Sequence, residues 1–244
     1  MKCLILAAGY ATRLYPLTEN FPKPLLKVGE KTILDWLTDD LAATGWIDGY
    51  VVVTNHKFAG FFEEWAAGRA ESVVVVDDGT SSNETRLGAV RDIQYAVRQC
   101  GLDDDVLVMA GDNLLSFSLR EYLDYFDAKG TSCIMRYYEP DEARLHKCGV
   151  VEVDGNDLVL SMEEKPASPR SHWCCPPFYV YKRDDLRLLD DAIASGCGVD
   201  APGSLVSWLC LRAPVHAWPM PGPRYDIGTL ASYNAVQQVF AGMK

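Results

Sequence analysis

The chain has 244 residues, with 34 acidic against 23 basic side chains and a formal net charge of −11. That length suits one large α/β domain with a sizeable core, and 48% hydrophobic with 23% charged residues excludes a disordered chain. The acidic excess argues against nucleic acid or an anionic membrane as partner, because both need a basic footprint, and no run of about 18 apolar residues could span a bilayer.

In chain order, the apolar start runs straight into Arg13, so residues 2–7 read as a buried first strand and not a secretory leader. Ile33, Trp36, Leu37 and Leu41 share one helical face that Gly45 ends. A strand over 50–54 and a helix over 58–67 follow, then a strand over 72–77 and a helix carried by Leu87, Val90 and Val97 that runs out at Gly101. Val51-Val52-Val53 and Val73 through Val76 are apolar throughout, the pattern of strands covered by helices on both faces. After a strand over 105–110, Ser118 and Glu121 form a capping box for a helix that Gly130 closes. The second half is richer in strands, over 131–136, 150–153, 159–162, 178–181 and 214–218, with helices over 184–194 and 229–240. This order predicts one continuous α/β domain over 1–244, with a mostly parallel central sheet flanked by helices and an antiparallel extension in the second half. The eight cysteines show no zinc-type spacing and read as reduced thiols of a cytoplasmic protein. His172, Cys174 and Cys175 read as ordinary packing residues, since adjacent cysteines chelate poorly.

The first strand ends in Leu6, Ala7, Ala8 and Gly9, followed by Tyr10, Ala11, Thr12 and Arg13, then Pro22-Lys23-Pro24. Glycine lets a ligand approach the backbone, and two prolines stiffen the chain that carries Lys23. Two fixed cations beyond a glycine-bearing strand end suit a triphosphate. The phosphate loop with Gly-Lys-Ser/Thr and the dinucleotide fingerprint Gly-x-Gly-x-x-Gly are both absent.

This segment closely resembles the signature of the sugar-1-phosphate nucleotidylyltransferases, Gly-x-Gly-Thr-Arg-Leu-x-Pro-Leu-Thr with a later Pro-Lys-x-Leu. Ala11 stands where that family has its second glycine. The resemblance extends through Gly111-Asp112-Asn113, Gly149-Val150-Val151-Glu152, Glu164-Lys165-Pro166 and Asp226-Ile227-Gly228-Thr229. It implies a Rossmann-like nucleotidyltransferase fold. About 1–115 would serve the nucleotide and about 116–244 the second substrate, with no room for the added C-terminal domain of larger relatives. It further implies Mg²⁺ held by Asp112 and Asp226, and catalytic cations Arg13, Lys23 and Lys165. Gly149, Glu164 and Lys165 would surround the second substrate. Thr229 also reads as the start of a helix, which is compatible with the metal role of Asp226.

The implied reaction brings a nucleoside triphosphate and a small phosphorylated substrate together and releases pyrophosphate. A phosphate dianion needs no general base, which fits four histidines, at 56, 146, 172 and 216, that form no catalytic pattern. Asn83 lies five positions before Gly88, a spacing that resembles pyrimidine readers and favours CTP or dTTP. Prolines 176 and 177 stand where hexose-specific relatives approach the sugar with backbone. Trp173, Phe178, Tyr179, Trp208 and Tyr225 would compose an aromatic cage for a quaternary ammonium, so a phosphocholine cytidylyltransferase stays open, with core packing as the competing role for these rings. Two readings of other classes are a glycosyltransferase using Asp103-Asp104-Asp105 for metal and a non-catalytic nucleotide-binding regulatory homologue. A homo-oligomer is compatible with all of them.

Overall fold

In this computed structural model the structure describes residues 1–241. The chain divides into two compact units. The first comprises Met1–Leu4, Leu87–Met109 and Glu121–Met220; the second comprises Ile5–Arg86, Ala110–Arg120 and the chain from Pro221 onward. The class is α/β, a mixed sheet with mostly parallel core strands flanked by helices.

In the first unit the strands run in the order Val159–Glu164, Gly149–Val153, Trp173–Cys175, Ser132–Tyr138, Phe178–Tyr181 and Val106–Ala110. The pairs Val159–Glu164 with Gly149–Val153, Trp173–Cys175 with both its neighbours, and Phe178–Tyr181 with both of its neighbours are antiparallel. This is the antiparallel extension expected for the second half. Val215–Pro219 pairs with Ser132–Tyr138 in parallel. Helix Ala89–Cys100 starts immediately after Gly88 and ends at Gly101 in the left-handed region, where glycine carries no Cβ penalty.

In the second unit, strand Tyr50–Thr54 pairs in parallel with Val73–Asp77. Helix Ile33–Thr44 opens with a reciprocal cap: the Asp35 N–H donates to Thr32 Oγ1 and the Thr32 N–H to Asp35 Oδ2, both at 3.0 Å. Asn113–Leu115 pairs antiparallel with Arg224–Asp226. Helix Leu230–Phe240 closes the unit, capped by Thr229 and Ser232. One apolar cluster joins these pieces: Leu14, Leu26, Val28, Ile33, Leu114, Ile227, Val236 and Phe240 are all buried together. Burial of each such side chain is worth about 1.5–3 kcal/mol.

Three expectations from the sequence are corrected, and several short elements are added. Val73–Asp77 lies at the end of its sheet and leaves Val74 47% exposed, so it is an edge strand and not one covered on both faces. Ser118 makes no capping box; its Oγ accepts from the Arg120 N–H, and Asp40 accepts from the Leu119 N–H at 2.8 Å. The helix expected over 184–194 is two short helices, Arg183–Leu186 and Leu189–Ala194. Helix Gly203–Leu209 and the strands Asn113–Leu115, Trp173–Cys175 and Arg224–Asp226 were not expected; they are short and carry little periodicity.

Candidate active site

The second unit carries Leu6 through Lys23, the residues expected to meet a triphosphate. Strand Lys2–Leu6 delivers the chain to Ala7 and Ala8, which are tied to the neighbouring strand. The Ala7 N–H donates to Val53 O at 2.9 Å, and Asn55 Nδ2 donates to Ala8 O at 3.0 Å. Asn55 is fully buried and also accepts from the Phe58 N–H. Gly9 is exposed, and a Cβ built there would meet open space, as in a loop whose backbone faces a ligand. Tyr10 is buried against Phe58. Ala11 adopts φ 47°, ψ 41°, the left-handed region where the family pattern has glycine and where alanine is strained. Thr12–Leu14 forms a single 3-10 turn, and Thr18 Oγ1 donates back to Ala11 O at 2.8 Å.

Each charged residue here stands one to three positions before a member of the buried cluster: Arg13 before Leu14, Lys23 before Leu26, Asp112 before Leu114, and Asp226 before Ile227. The apolar cluster thereby fixes the backbone from which the charges project. Lys23 is 7% exposed, and its Nζ reaches Asp112 Oδ2 at 2.7 Å. Asn113 Nδ2 donates to Asp112 Oδ1 at 2.6 Å, and Arg224 donates to Asn113 Oδ1. Asp226 stands opposite Asn113, and the Ile227 N–H points at Asp112 O. Arg13 is exposed and its guanidinium lies over Gly228, 3.6 Å from where a Cβ would be. It has no ion-pair partner among the described residues.

The donor set fits Mg²⁺. Asp112 and Asp226 offer two carboxylates on adjoining segments, and Asp112 keeps lone pairs beyond the two bonds it accepts. A hard cation held by two carboxylates completes its shell with water and phosphate oxygens. Among the described residues no group of three or more His, Cys, Asp or Glu side chains forms a self-sufficient metal centre, at His172-Cys174-Cys175 or elsewhere.

Asn83, the expected base reader, is exposed in a loop of this unit. Asp77 satisfies both carboxylate oxygens, one with His56 Nδ1 at 2.6 Å and one with the Gly79 N–H at 2.8 Å. Asp78 does not. Its Oδ1 accepts both the N–H and the hydroxyl of Thr80 at 2.7 Å, while its buried Oδ2 has no partner. Burial pushes the Asp78 carboxyl up from its ordinary range, against the two Thr80 bonds, which act downward.

The first unit holds Gly149, Glu164 and Lys165, the residues expected around a second substrate. The Lys165 N–H donates to Cys148 O at 2.9 Å, and Lys165 sits at φ 49°, an uncommon backbone state for a side chain that ends exposed. Glu164 packs beside Gly149. Burial raises its carboxyl pKa, opposed by the neighbouring Lys165 charge. Gly88, at φ 94°, packs so closely that a Cβ would lie 2.6 Å from Val199 O. That close packing accounts for its glycine.

Each aromatic residue of the expected cage is taken up by other contacts. Phe178 and Tyr179 are core residues in the middle of a sheet, and burial drives the Tyr179 hydroxyl pKa far up. The Trp173 ring is covered by Arg136 at 4.5 Å, and the Trp208 ring by Arg212 at 4.0 Å. In the second unit, Tyr225 meets Phe240 edge-on. The Asp103-Asp104-Asp105 run is also engaged. Asp103 pairs with Arg187 at 2.7 Å, Asp104 with the N-terminal amine at 3.3 Å, and Asp105 with Lys182 at 2.7 Å. All eight cysteines are free, and no helix among the described residues is long and apolar enough to cross a membrane.

Asn55 was not expected from the sequence, and Asn113, Arg224 and Asp78 stood inside motifs without a role of their own. Their only signal was a place in or beside the motifs, because each acts through a contact distant in sequence or in a neighbouring turn.

Known proteins resemble the chain along its length. The glucose-1-phosphate adenylyltransferase of Fervidobacterium nodosum is 24% identical over 94% of this chain and 59% of its own length. The glucose-1-phosphate thymidylyltransferase of Mycobacterium tuberculosis is 29% identical over 77% of this chain and 63% of its own. The chain thus spans about six-tenths of the length of these curated relatives. A structure of UDP-glucose pyrophosphorylase complexed with UDP-glucose shares the fold at a TM-score of 0.83, with 18% identity over 98% of this chain and 97% of that one. Residues 2–240 match the family model described as nucleotidyl transferase. That match spans nearly the whole chain, and the chain belongs to the nucleotidyl transferase family.

Proposed function

We propose that the protein transfers a nucleotidyl group from a nucleoside triphosphate to a small phosphorylated substrate of the sugar 1-phosphate class. The observation that carries this reading is the meeting of Lys23 and Asp112 at 2.7 Å in the unit that also carries an exposed, unpaired Arg13 over Gly228. A buried ammonium on a carboxylate, with a free guanidinium in the same unit, suits a polyanion that arrives with its own cation. The names of the relatives support a sugar 1-phosphate as acceptor, and burial of Phe178 and Tyr179 with arginines over Trp173 and Trp208 leaves few ring faces for a quaternary ammonium.

A phosphate oxygen of the acceptor forms a bond to the α-phosphorus, the bond to the β-phosphate oxygen breaks, and pyrophosphate leaves with that electron pair. Lys165 holds the attacking phosphate. Lys23 orients the triphosphate while keeping Asp112 in place. Arg13 stabilises charge on the departing pyrophosphate. Mg²⁺, when bound by Asp112 and Asp226, supplies charge neutralisation on phosphate oxygens. No side chain needs to remove a proton. The histidines fit that: His146 and His172 are bonded to backbone carbonyls, and His56 is bonded to Asp77. The triphosphate is a pyrimidine one, CTP or dTTP, with the exposed Asn83 amide at the base.

Pyrophosphate release tests the reading when the common triphosphates are crossed with hexose 1-phosphates, polyol phosphates and phosphocholine. Release with a sugar 1-phosphate is expected, and release under no pair would end the proposal.

A further inference from the structure

Gly149 and Gly203 have no backbone reason to be glycine, since neither adopts a positive φ. Gly203 opens helix Gly203–Leu209, where glycine is less favourable than alanine by about 1 kcal/mol. What both glycines leave is space, and the same two side chains fill it. A Cβ at Gly203 would lie 1.9 Å from Glu164 Oε1 and 2.4 Å from Met162 Cε. A Cβ at Gly149 would lie 3.3 Å and 2.6 Å from the same atoms. Met162 and Glu164 are two apart on strand Val159–Glu164 and so project from one face. They enter a slot whose two walls are the bare Cα atoms of Gly149 and Gly203. Beside it opens a cavity of about 440 Å³ lined by Glu164, Ser204, Ser207 and Trp208 among others.

We propose that Gly203 is a positioning residue: the missing side chain lets the Glu164 carboxylate seat against the start of helix Gly203–Leu209, where it faces the hydroxyl groups of the phosphorylated substrate. This rests on the nucleotidyl-transfer reading for the identity of that substrate, and on geometry alone for the seating of Glu164. The groups around this carboxylate are consistent with a held position. Burial raises its pKa, Lys165 lowers it, Cys148 raises it and the Gly203 backbone N–H lowers it. A carboxylate so seated keeps acceptor capacity for vicinal hydroxyls without being free to swing toward the Lys165 ammonium.

The atoms that an added methyl would strike are the ends of flexible side chains. Gly203→Ala therefore displaces Glu164 and leaves the fold standing, with a melting temperature within about 2 °C of the parent. In steady-state kinetics, the KM for the phosphorylated substrate is expected to rise about tenfold while that for the triphosphate stays within about twofold. Glu164→Asp in the Gly203→Ala background shortens the side chain by one methylene and is expected to recover part of the loss. Carbon-13 NMR titration of the Glu164 carboxyl gives a readout without turnover: Gly203→Ala is expected to shift it down toward an ordinary, solvated glutamate. An unchanged Glu164 titration in Gly203→Ala, or an equal rise in both KM values, overturns the proposal. A protein that turns over no pair of substrates would end the proposed reaction, and the titration would still decide the role of Gly203.

Discussion

Lys23 and Asp112 stand 89 positions apart and meet at 2.7 Å, the lysine almost fully buried and the aspartate about one-third exposed. Removing the ammonium strands a half-buried carboxylate, which costs about 1–2 kcal/mol once partial exposure is allowed for. Lys23→Ala is expected to lower the melting temperature by several degrees and to reduce turnover by orders of magnitude. Arg13 is exposed and unpaired, so Arg13→Ala is expected to reduce turnover about as strongly while the melting temperature holds within about 1 °C. Thermal unfolding and pyrophosphate release on the two variants separate the roles. Normal turnover in Arg13→Ala would contradict its place on the pyrophosphate.

Asp226 is exposed and lies across a two-stranded pairing from Asn113. Asp226→Asn keeps the shape and removes the charge. The Mg²⁺ concentration for half-maximal rate is expected to rise about tenfold or more, with little change in stability. Full activity of this variant in excess EDTA would refute both metal carboxylates.

Ala11 holds a left-handed conformation that alanine reaches at a cost of about 1 kcal/mol. Ala11→Gly relieves that strain but gives the unfolded chain more freedom. The balance is a gain of about 0.5 kcal/mol, or about 1–2 °C in melting temperature for a chain of this size. A loss of stability would show that the Ala11 methyl is held by packing against the Leu14 cluster, where it lies partly buried.

Much of the candidate site could be read in the chain because its residues sit in contiguous pieces. Leu6 through Arg13, Pro22 through Pro24 and Asp226 through Thr229 each combine a functional group with the local conformation that presents it. What escaped depends on contacts across the chain. Asn113 and Asp226 come together only through a strand pair of three residues each, too short for any period to register. The aromatic residues at 173, 178 and 179 could be ring or core by composition alone, and alternation along Phe178–Tyr181 does not reveal that both faces are covered. Val73 to Val76 misled in the opposite direction, since four valines in a row describe a buried strand and this one is an edge.

Asp78 gives the pH dependence a sign. Its folded pKa is raised, chiefly by burial, so the folded state holds the proton more tightly than the unfolded chain does. Its contribution to stability is fully present below the unfolded aspartate pKa of about 3.9 and is lost as pH rises through the folded value. Urea midpoints for wild type and Asp78→Asn across this range are expected to diverge as pH rises, with the amide variant the more stable. Parallel curves would place a compensating donor on Oδ2.

At Gly88 and Gly203 the atoms that an added methyl would meet differ in kind. At Gly203 they are the tips of Glu164 and Met162, which can move. At Gly88 they are backbone: Val199 O at 2.6 Å, its carbonyl carbon at 3.0 Å and the Asp200 Cα at 3.1 Å. That segment cannot retreat freely, since the Ala89 and Val90 N–H groups donate to Asp200 O and Val199 O at 3.2 and 3.0 Å. A φ of 94° adds strain for any residue with a Cβ. Gly88→Ala is therefore expected to destabilise by about 2–4 kcal/mol, with triphosphate affinity of the folded fraction falling less than stability does. Calorimetric unfolding with and without a saturating triphosphate checks this. If Gly88 instead serves chiefly to let a base approach, Gly88→Ala would melt near the parent temperature and lose the stabilisation that the triphosphate gives the parent.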